Sequence, residues 1–243
     1  MLERLKEVIA RAHSSSEPAI EFLERSRIKG PRVGVFSSSF NPLTSAHVEL
    51  MQRSIRAFDL NEVLALAGVA NADKSSYECS LEDRLAMLLS AFKDEPAMSV
   101  GVSSHAYFVD VAEALESLYA SQTEFYFVLG FDTFVRVLDP EGLYLSKYHR
   151  GFGDRNEALS FLLQRGRLVV AGRAGAAEPE IGELIRNEPR EIAERVLYLE
   201  IPNDIAARSA TQVRELIRSG RSIAGLVPPK VENYIALRGI YKE

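Results

Sequence analysis

The sequence predicts an α/β fold in which a doubly wound parallel sheet carries helices on both faces. Three observations predict it. Short continuous apolar runs alternate along the chain with stretches whose apolar residues recur at helical spacing, the pattern of strands joined by crossover helices. Several of these runs end in loops with unusual polar residues. Hydrophobic residues make up 47% of the 243, enough to fill a sizeable core in one domain, or in one domain with a small appendage.

Residues 2–12 place Leu2, Leu5, Val8, Ile9 and Ala12 on one helical stripe. A second helix is predicted from Pro18, ending before Gly30-Pro31. Residues 1–30 then form an N-terminal helical extension, and 31–243 the main domain. Val33–Phe36 reads as a buried strand, followed by a Ser/Asn/Pro loop and a helix over about 45–58. Val63–Val69 is strand-like and Leu81–Ala91 helical; Met98–Val102 is strand-like and Val109–Leu118 helical. Phe125–Leu129, Leu168–Ala171 and Val196–Leu199 are further apolar runs. Gly172–Pro179 (GRAGAAEP) reads as a mobile loop. Two helices are expected near 210–219 and 229–236, with Pro229 in the first turn of the second. Ligands of open α/β sheets sit beyond the carboxyl ends of the strands. Chemistry is therefore expected in the loops after Phe36, Val69, Leu129 and Leu199.

Composition removes several classes of function. A formal charge of −5 argues against a protein that coats nucleic acid, and Arg165, Arg167 and Arg173 are too sparse for a basic stripe. A single cysteine, Cys79, makes neither an internal disulfide nor a multi-cysteine zinc cage. The longest clean apolar run, Val63–Ala70, falls far short of the roughly 18 residues of a membrane span. The opening MLERLKEVIARAH carries charges where a signal peptide needs an apolar stretch. The expected compartment is the cytoplasm, with no membrane or nucleic-acid partner.

The loop Ser37-Ser38-Ser39-Phe40-Asn41-Pro42-Leu43-Thr44-Ser45-Ala46-His47 leaves a buried strand and enters a helix. Its backbone N–H groups and small hydroxyls suit a phosphate at the helix N-terminus, and an imidazole in the first turn suits a phosphoryl oxygen. A Ser-rich turn with a surface histidine is the plainer alternative. The stretch resembles the (H/T)xGH signature of the nucleotidyltransferase superfamily, whose usual form is G-x-F-[ND]-P-x-[HT]-x-G-H. Thr44 and His47 fill the two signature positions, and Phe40, Asn41 and Pro42 the fixed positions before them. Ser38 stands where a glycine is common, and Ala46 replaces the motif glycine.

Three later stretches resemble other elements of the same superfamily. Ser209-Ala210-Thr211-Gln212-Val213-Arg214 is similar to S-S-T-x-[IV]-R, with Ala210 for the second serine. By itself Ser209 with Gln212 reads as a capping box, and a cap and an anion site use the same helix N-terminus. Asn71-Ala72-Asp73-Lys74 resembles a stretch in members related to nicotinamide-nucleotide adenylyltransferase, with a solvated turn as the alternative; Arg84 belongs to the same pattern. Gly130-Phe131-Asp132-Thr133 resembles a G-x-D element near the adenosine, where Gly130 admits the ligand to the backbone and Asp132 accepts from a ribose hydroxyl. A strand-to-helix turn capped by Asp is the plainer alternative. Arg173 resembles an arginine after the next strand.

The four motifs stand in family order. The resemblance implies a Rossmann-like nucleotidyltransferase fold and transfer of AMP from ATP to nicotinamide or nicotinate mononucleotide. It implies catalytic roles for His47, Thr44, Lys74 and Arg214. Ser38, Ser39, Phe40, Asn41 and Asn71 are then substrate-binding residues from the first half of the chain. Gly130, Asp132, Tyr144, Arg173, Ser209 and Thr211 join them from the second. Mg²⁺ is expected mainly through ATP, without dedicated metal ligands. Relatives often place a Trp beside the pyridine, and this chain has none, so Tyr144, Tyr148 or a phenylalanine is expected to supply that face. The N-terminal helices are expected to pack on the sheet edge or to mediate a homo-oligomer. His13, His105 and His149 show no ligand-like spacing. Three other readings stay open: another nucleotidyltransferase, phosphopantetheine adenylyl- or cytidylyltransferase-like; a non-catalytic nucleotide-binding protein; and an ATP hydrolase.

Overall fold

The computed structural model describes residues 2–69, 78–173 and 177–242. The chain begins with helix α1 (Leu2–Ser14) and strand β1 (Ile20–Glu24). It continues through β2 (Arg32–Ser37), α2 (Ser45–Phe58), β3 (Glu62–Gly68), α3 (Leu81–Phe92), β4 (Met98–Ser103) and α4 (Phe108–Leu118). Then come β5 (Glu124–Gly130), α5 (Phe131–Leu138), α6 (Arg155–Gln164), β6 (Gly166–Arg173), α7 (Ala177–Ile185), α8 (Arg190–Ala193) and β7 (Val196–Ile201). Helices α9 (Asn203–Ala206), α10 (Ala210–Arg218) and α11 (Pro229–Arg238) complete it.

The strands form one sheet in the order β1-β4-β3-β2-β5-β6-β7. Strands β2 to β7 are parallel, as expected, but β1 runs antiparallel to β4, so the sheet is mixed. From β2 the chain winds outward first through β3 and β4, then through β5, β6 and β7. The reversal beside β2 is a topological switch point, the place beyond the carboxyl ends of the strands where open α/β sheets bind ligands.

Alternation along the strands feeds two cores. Val63, Ala65 and Ala67 of β3 face one side with α1, α2, α3, α10 and α11. Leu64 and Leu66 face the other, with α4 to α8. Both faces are covered, which is why the central strands read as unbroken apolar runs.

Two expectations are corrected. Residues 20–24 are a strand, not part of a second N-terminal helix. Ile20 and Leu23 are the buried positions of IEFLE, a spacing that over five residues also fits a helix. The open edge of β4 decides: Ile20 pairs with Ser103, and Ala19 N–H donates to Ser104 Oγ at 2.8 Å. Helix α1 buries Leu5, Val8 and Ala12 beside this edge, so the N-terminal segment packs on the sheet. The expected loop over 172–179 is corrected at both ends, and residues 174–176 lie outside the described residues. Gly172 and Arg173 still pair with Glu200 and Ile201 of β7, and α7 begins at Ala177 with Pro179 in its first turn, where proline is tolerated. Among the described residues no helix is long and apolar enough to cross a membrane.

Candidate active site

The first loop leaves β2 at the switch point. Ser38 N–H donates to Leu66 O at 3.1 Å, which keeps the turn against β3. Phe40 follows at φ +46°, a left-handed conformation that costs a bulky residue about 1–3 kcal/mol. Its ring is fully buried against Phe36 and His47, with centroids 5.9 and 5.5 Å away, and that packing holds the turn. Asn41, Leu43 and Thr44 are buried after it.

Thr44 is the N-cap of α2. Its Oγ1 accepts from His47 N–H at 3.4 Å, and His47 Nδ1 accepts from Thr44 N–H at 3.0 Å, a reciprocal capping box. A backbone amide only donates, so Nδ1 carries the lone pair and the neutral ring holds its proton on Nε2. Burial lowers the imidazole from 6.5 to about 4. The result is a neutral Nε2–H donor with a fixed tautomer at the positive end of a helix.

The second motif stands beside it. Ser209 caps α10 by accepting from Gln212 N–H at 3.1 Å, the serine half of the capping box expected there. Arg214, with its side chain 15% exposed, spreads over three partners. One terminal nitrogen donates to Asn41 O at 2.7 Å, the other to Thr211 Oγ1 at 3.3 Å, and Nε to Glu78 Oε1 at 3.3 Å. The other Glu78 oxygen pairs with Arg218. Arg208 donates to Ser45 Oγ and to Gly225 O, both at 3.3 Å, and Ser45 N–H donates to Leu226 O at 2.8 Å. Arg84, 4% exposed, donates to Ser39 O at 2.7 Å. Two motifs far apart in sequence thus share one wall, with loop carbonyls taken by guanidinium groups.

Beyond the switch point, Gly130 ends β5 and Asp132 lies exposed in the first turn of α5. They line a cleft of about 530 Å³ with Arg136, Gly172, Glu180 and Ile201. A Cβ built at Gly130 meets nothing within 4 Å, so the missing side chain leaves open space rather than serving protein packing. Tyr144 precedes a 3-10 turn at Leu145–Lys147, and its ring lies 5.8 Å from that of Tyr107 in the loop leaving β4. Tyr148 meets the same Tyr107 edge-on at 5.5 Å, and burial pushes its phenol up to about 12. The two tyrosines expected near the pyridine therefore gather on a third.

Asn71 and Lys74 lie outside the described residues, as does the side chain of Arg173, whose backbone ends β6. Arg208 and Tyr107 escaped the sequence reading. Arg208 had only its place next to Ser209 as a signal, and Tyr107 only its place after a strand. Among the described residues no three His, Cys, Asp or Glu side chains converge to hold a metal ion. The side chains of the two helix starts and the first loop offer hydroxyl, imidazole and guanidinium groups, which suit phosphate oxygens rather than a bare cation.

Comparison with known proteins shows the family and the fold. The pattern of the family described as "Cytidylyltransferase-like" matches residues 35–158. A protein of Geobacter sulfurreducens named "Probable nicotinate-nucleotide adenylyltransferase" is 31% identical over 234 residues, spanning 86% of this chain and 98% of its own. One of the same name from Geotalea uraniireducens is 28% identical over 233 residues, spanning 87% and 99%. Among solved structures, the Plasmodium falciparum nicotinic acid mononucleotide adenylyltransferase complexed with NaAD superposes with a TM-score of 0.60. That superposition covers 87% of this chain and 98% of the other at 15% identity, a likeness of fold.

Proposed function

Because the chain belongs to the nucleotidyltransferase superfamily, we propose that it transfers AMP from ATP to nicotinate or nicotinamide mononucleotide, releasing pyrophosphate. The names of its relatives favour nicotinate mononucleotide as the first acceptor to test. The observation that carries the reading is the contact of Arg214 with Asn41 O at 2.7 Å, which joins two helix N-termini into one anion-binding wall.

The reaction needs no covalent intermediate. An oxygen of the acceptor phosphate forms a bond to the α-phosphorus of ATP, and the bond to the bridging oxygen breaks in line, so that pyrophosphate leaves. His47 donates from Nε2 to an α-phosphate oxygen as charge develops there, and Thr44 keeps Nδ1 an acceptor so that the proton stays on Nε2. Arg214, Ser209 and Thr211 take the β- and γ-oxygens at the start of α10. Ser38, Ser39, Phe40 and Asn41 shape the loop that wraps the phosphates. Asp132 accepts from the ribose of the nucleotide, with Gly130 open above it. Tyr144, with Tyr107 and Tyr148, offers aromatic faces to the pyridine. Lys74 is assigned to a substrate phosphate as a point charge, and Arg173 and Asn71 to the rim of the cleft. Mg²⁺ would enter as part of the ATP complex, without dedicated protein ligands, and when bound would neutralise part of the triphosphate charge.

The test is a product-resolved assay on the full chain with ATP, Mg²⁺ and each of nicotinate mononucleotide, nicotinamide mononucleotide and phosphopantetheine, with CTP in place of ATP in parallel. The expected result is a pyridine dinucleotide and pyrophosphate in equal amounts. Dephospho-coenzyme A, a CTP-derived product, or AMP or ADP formed without an acceptor each overturns the assignment in favour of a different reaction.

A further inference from the structure

One buried hydroxyl touches the first loop and has no part in the mechanism above. Helix α11 ends at Gly239 (φ +66°), and Tyr241 follows, also at φ +66°. A tyrosine in left-handed backbone is strained, and it is retained here by what its ring reaches. The ring is 4% exposed, and its hydroxyl donates to Asn41 Oδ1 at 2.8 Å across 200 positions of sequence. Burial and the neighbouring Cys79, which also hydrogen-bonds the hydroxyl, push the phenol far above its ordinary range, so it keeps its proton. The helix behind it is anchored independently. Tyr234 OH donates to Asp83 Oδ1 at 2.7 Å, and Arg238 Nε pairs with the same oxygen at 3.2 Å.

Asn41 is therefore held twice. Tyr241 takes its amide oxygen, and Arg214 donates to its main-chain carbonyl. With Oδ1 engaged, Asn41 is left to act as a donor through Nδ2. Arg214 in turn takes its direction from the Asn41 carbonyl. We propose that Tyr241 is a positioning residue for ATP: its hydroxyl fixes Asn41, and through Asn41 it fixes the first loop and the guanidinium of Arg214. This rests on the reading of Arg214 and the first loop as the triphosphate site.

The experiment compares Tyr241→Phe, Asn41→Ala, the double variant and Arg214→Ala in the full chain. ATP affinity is measured by calorimetry without acceptor; KM and kcat are measured for both substrates, and Tm for each variant. Tyr241→Phe keeps the ring and its packing and removes the hydroxyl's contacts with Asn41 and Cys79, of which only the first reaches the loop, so the expected rise in the Kd and KM for ATP is about three- to tenfold. The KM for the acceptor stays within about twofold. In the Asn41→Ala background the same substitution adds nothing to the loss of ATP affinity, because the hydroxyl's partner in the loop is gone; the lost contact with Cys79 shows only in Tm. A lowered Tm with ATP affinity at the wild-type value makes Tyr241 a structural residue only and overturns the proposal. So does an undiminished effect in the Asn41→Ala background. If Arg214→Ala leaves ATP affinity unchanged, the triphosphate site itself is misassigned and this inference falls with it. If Arg214→Ala weakens ATP while Tyr241→Phe does not, only the inference falls.

Discussion

The N-termini of α2 and α10 use the same local device and differ in what surrounds it. Each begins with a hydroxyl residue that accepts from the backbone N–H three positions on. At α2 the cap, Thr44, is 1% exposed, the third position is His47, and the imidazole returns the hydrogen bond between Phe36 and Phe40. At α10 the cap, Ser209, and the neighbouring Thr211 are exposed, and Val213 is the buried residue that roots the helix. Burial turns the first into a single donor of fixed tautomer. Exposure leaves the second a collector of charge, with Arg208, Arg214 and Arg218 around it and Glu78 between the last two. A buried donor of fixed tautomer suits charge that develops in the transition state, whereas a partly exposed cluster of guanidinium groups suits ground-state binding of a triphosphate. The α2 end should therefore govern kcat and the α10 end the KM for ATP.

The largest effect tests the first half of that contrast. His47→Ala is expected to lower kcat about a hundredfold or more, the usual loss for one preorganised donor, with ATP affinity changed little. A variant that raises KM and spares kcat would put both ends in the same class. Next in size is Arg214→Lys. The charge stays, but the planar fork that reaches Asn41 O, Thr211 and Glu78 is lost, so the KM for ATP should rise about tenfold with kcat within about threefold. Steady-state kinetics at varied ATP separate the two outcomes.

Proton linkage sharpens the contrast further. The folded-state pKa of His47 lies near 4, below its ordinary 6.5. As pH falls through that window the unfolded chain takes the proton first, so this contribution to stability is complete above 6.5 and is lost towards 4. Wild type should therefore lose Tm over this interval more steeply than His47→Gln, followed by thermal melts at closely spaced pH. At neutral pH the ring is already neutral, so kcat should show no acid limb from His47 near 6.5.

These differences explain what could be read from the sequence. The parallel strands were legible because burial on both faces makes them apolar runs. The signature stretches were legible because a cap, a turn and a helix start lie within a dozen adjacent residues. Strand β1 was not, because five residues fit either period and the deciding partner, β4, comes some eighty residues later. Tyr107, Arg208 and Tyr241 were invisible for the same reason: each makes its contact with a residue remote in sequence. Even at Thr44 and His47 the signature named the residues without the cause, which is the reciprocal cap that settles the tautomer.

The smallest effect bears on the exposed end alone. Glu78 places one oxygen 3.3 Å from Arg214 Nε and the other on Arg218, with side chains 40%, 15% and 40% exposed for Glu78, Arg214 and Arg218. A carboxylate there repels an incoming triphosphate and competes for the same guanidinium. Water screens both effects, and an exposed pair of this kind is worth at most about 1 kcal/mol. Glu78→Gln should therefore lower the KM for ATP about two- to threefold at low salt, by less as ionic strength rises, and leave kcat unchanged. A higher KM would mean that Glu78 orients Arg214 rather than competing for it. The α10 end would then be preorganised as the α2 end is, and the difference between the two helix termini would be one of exposure and not of role.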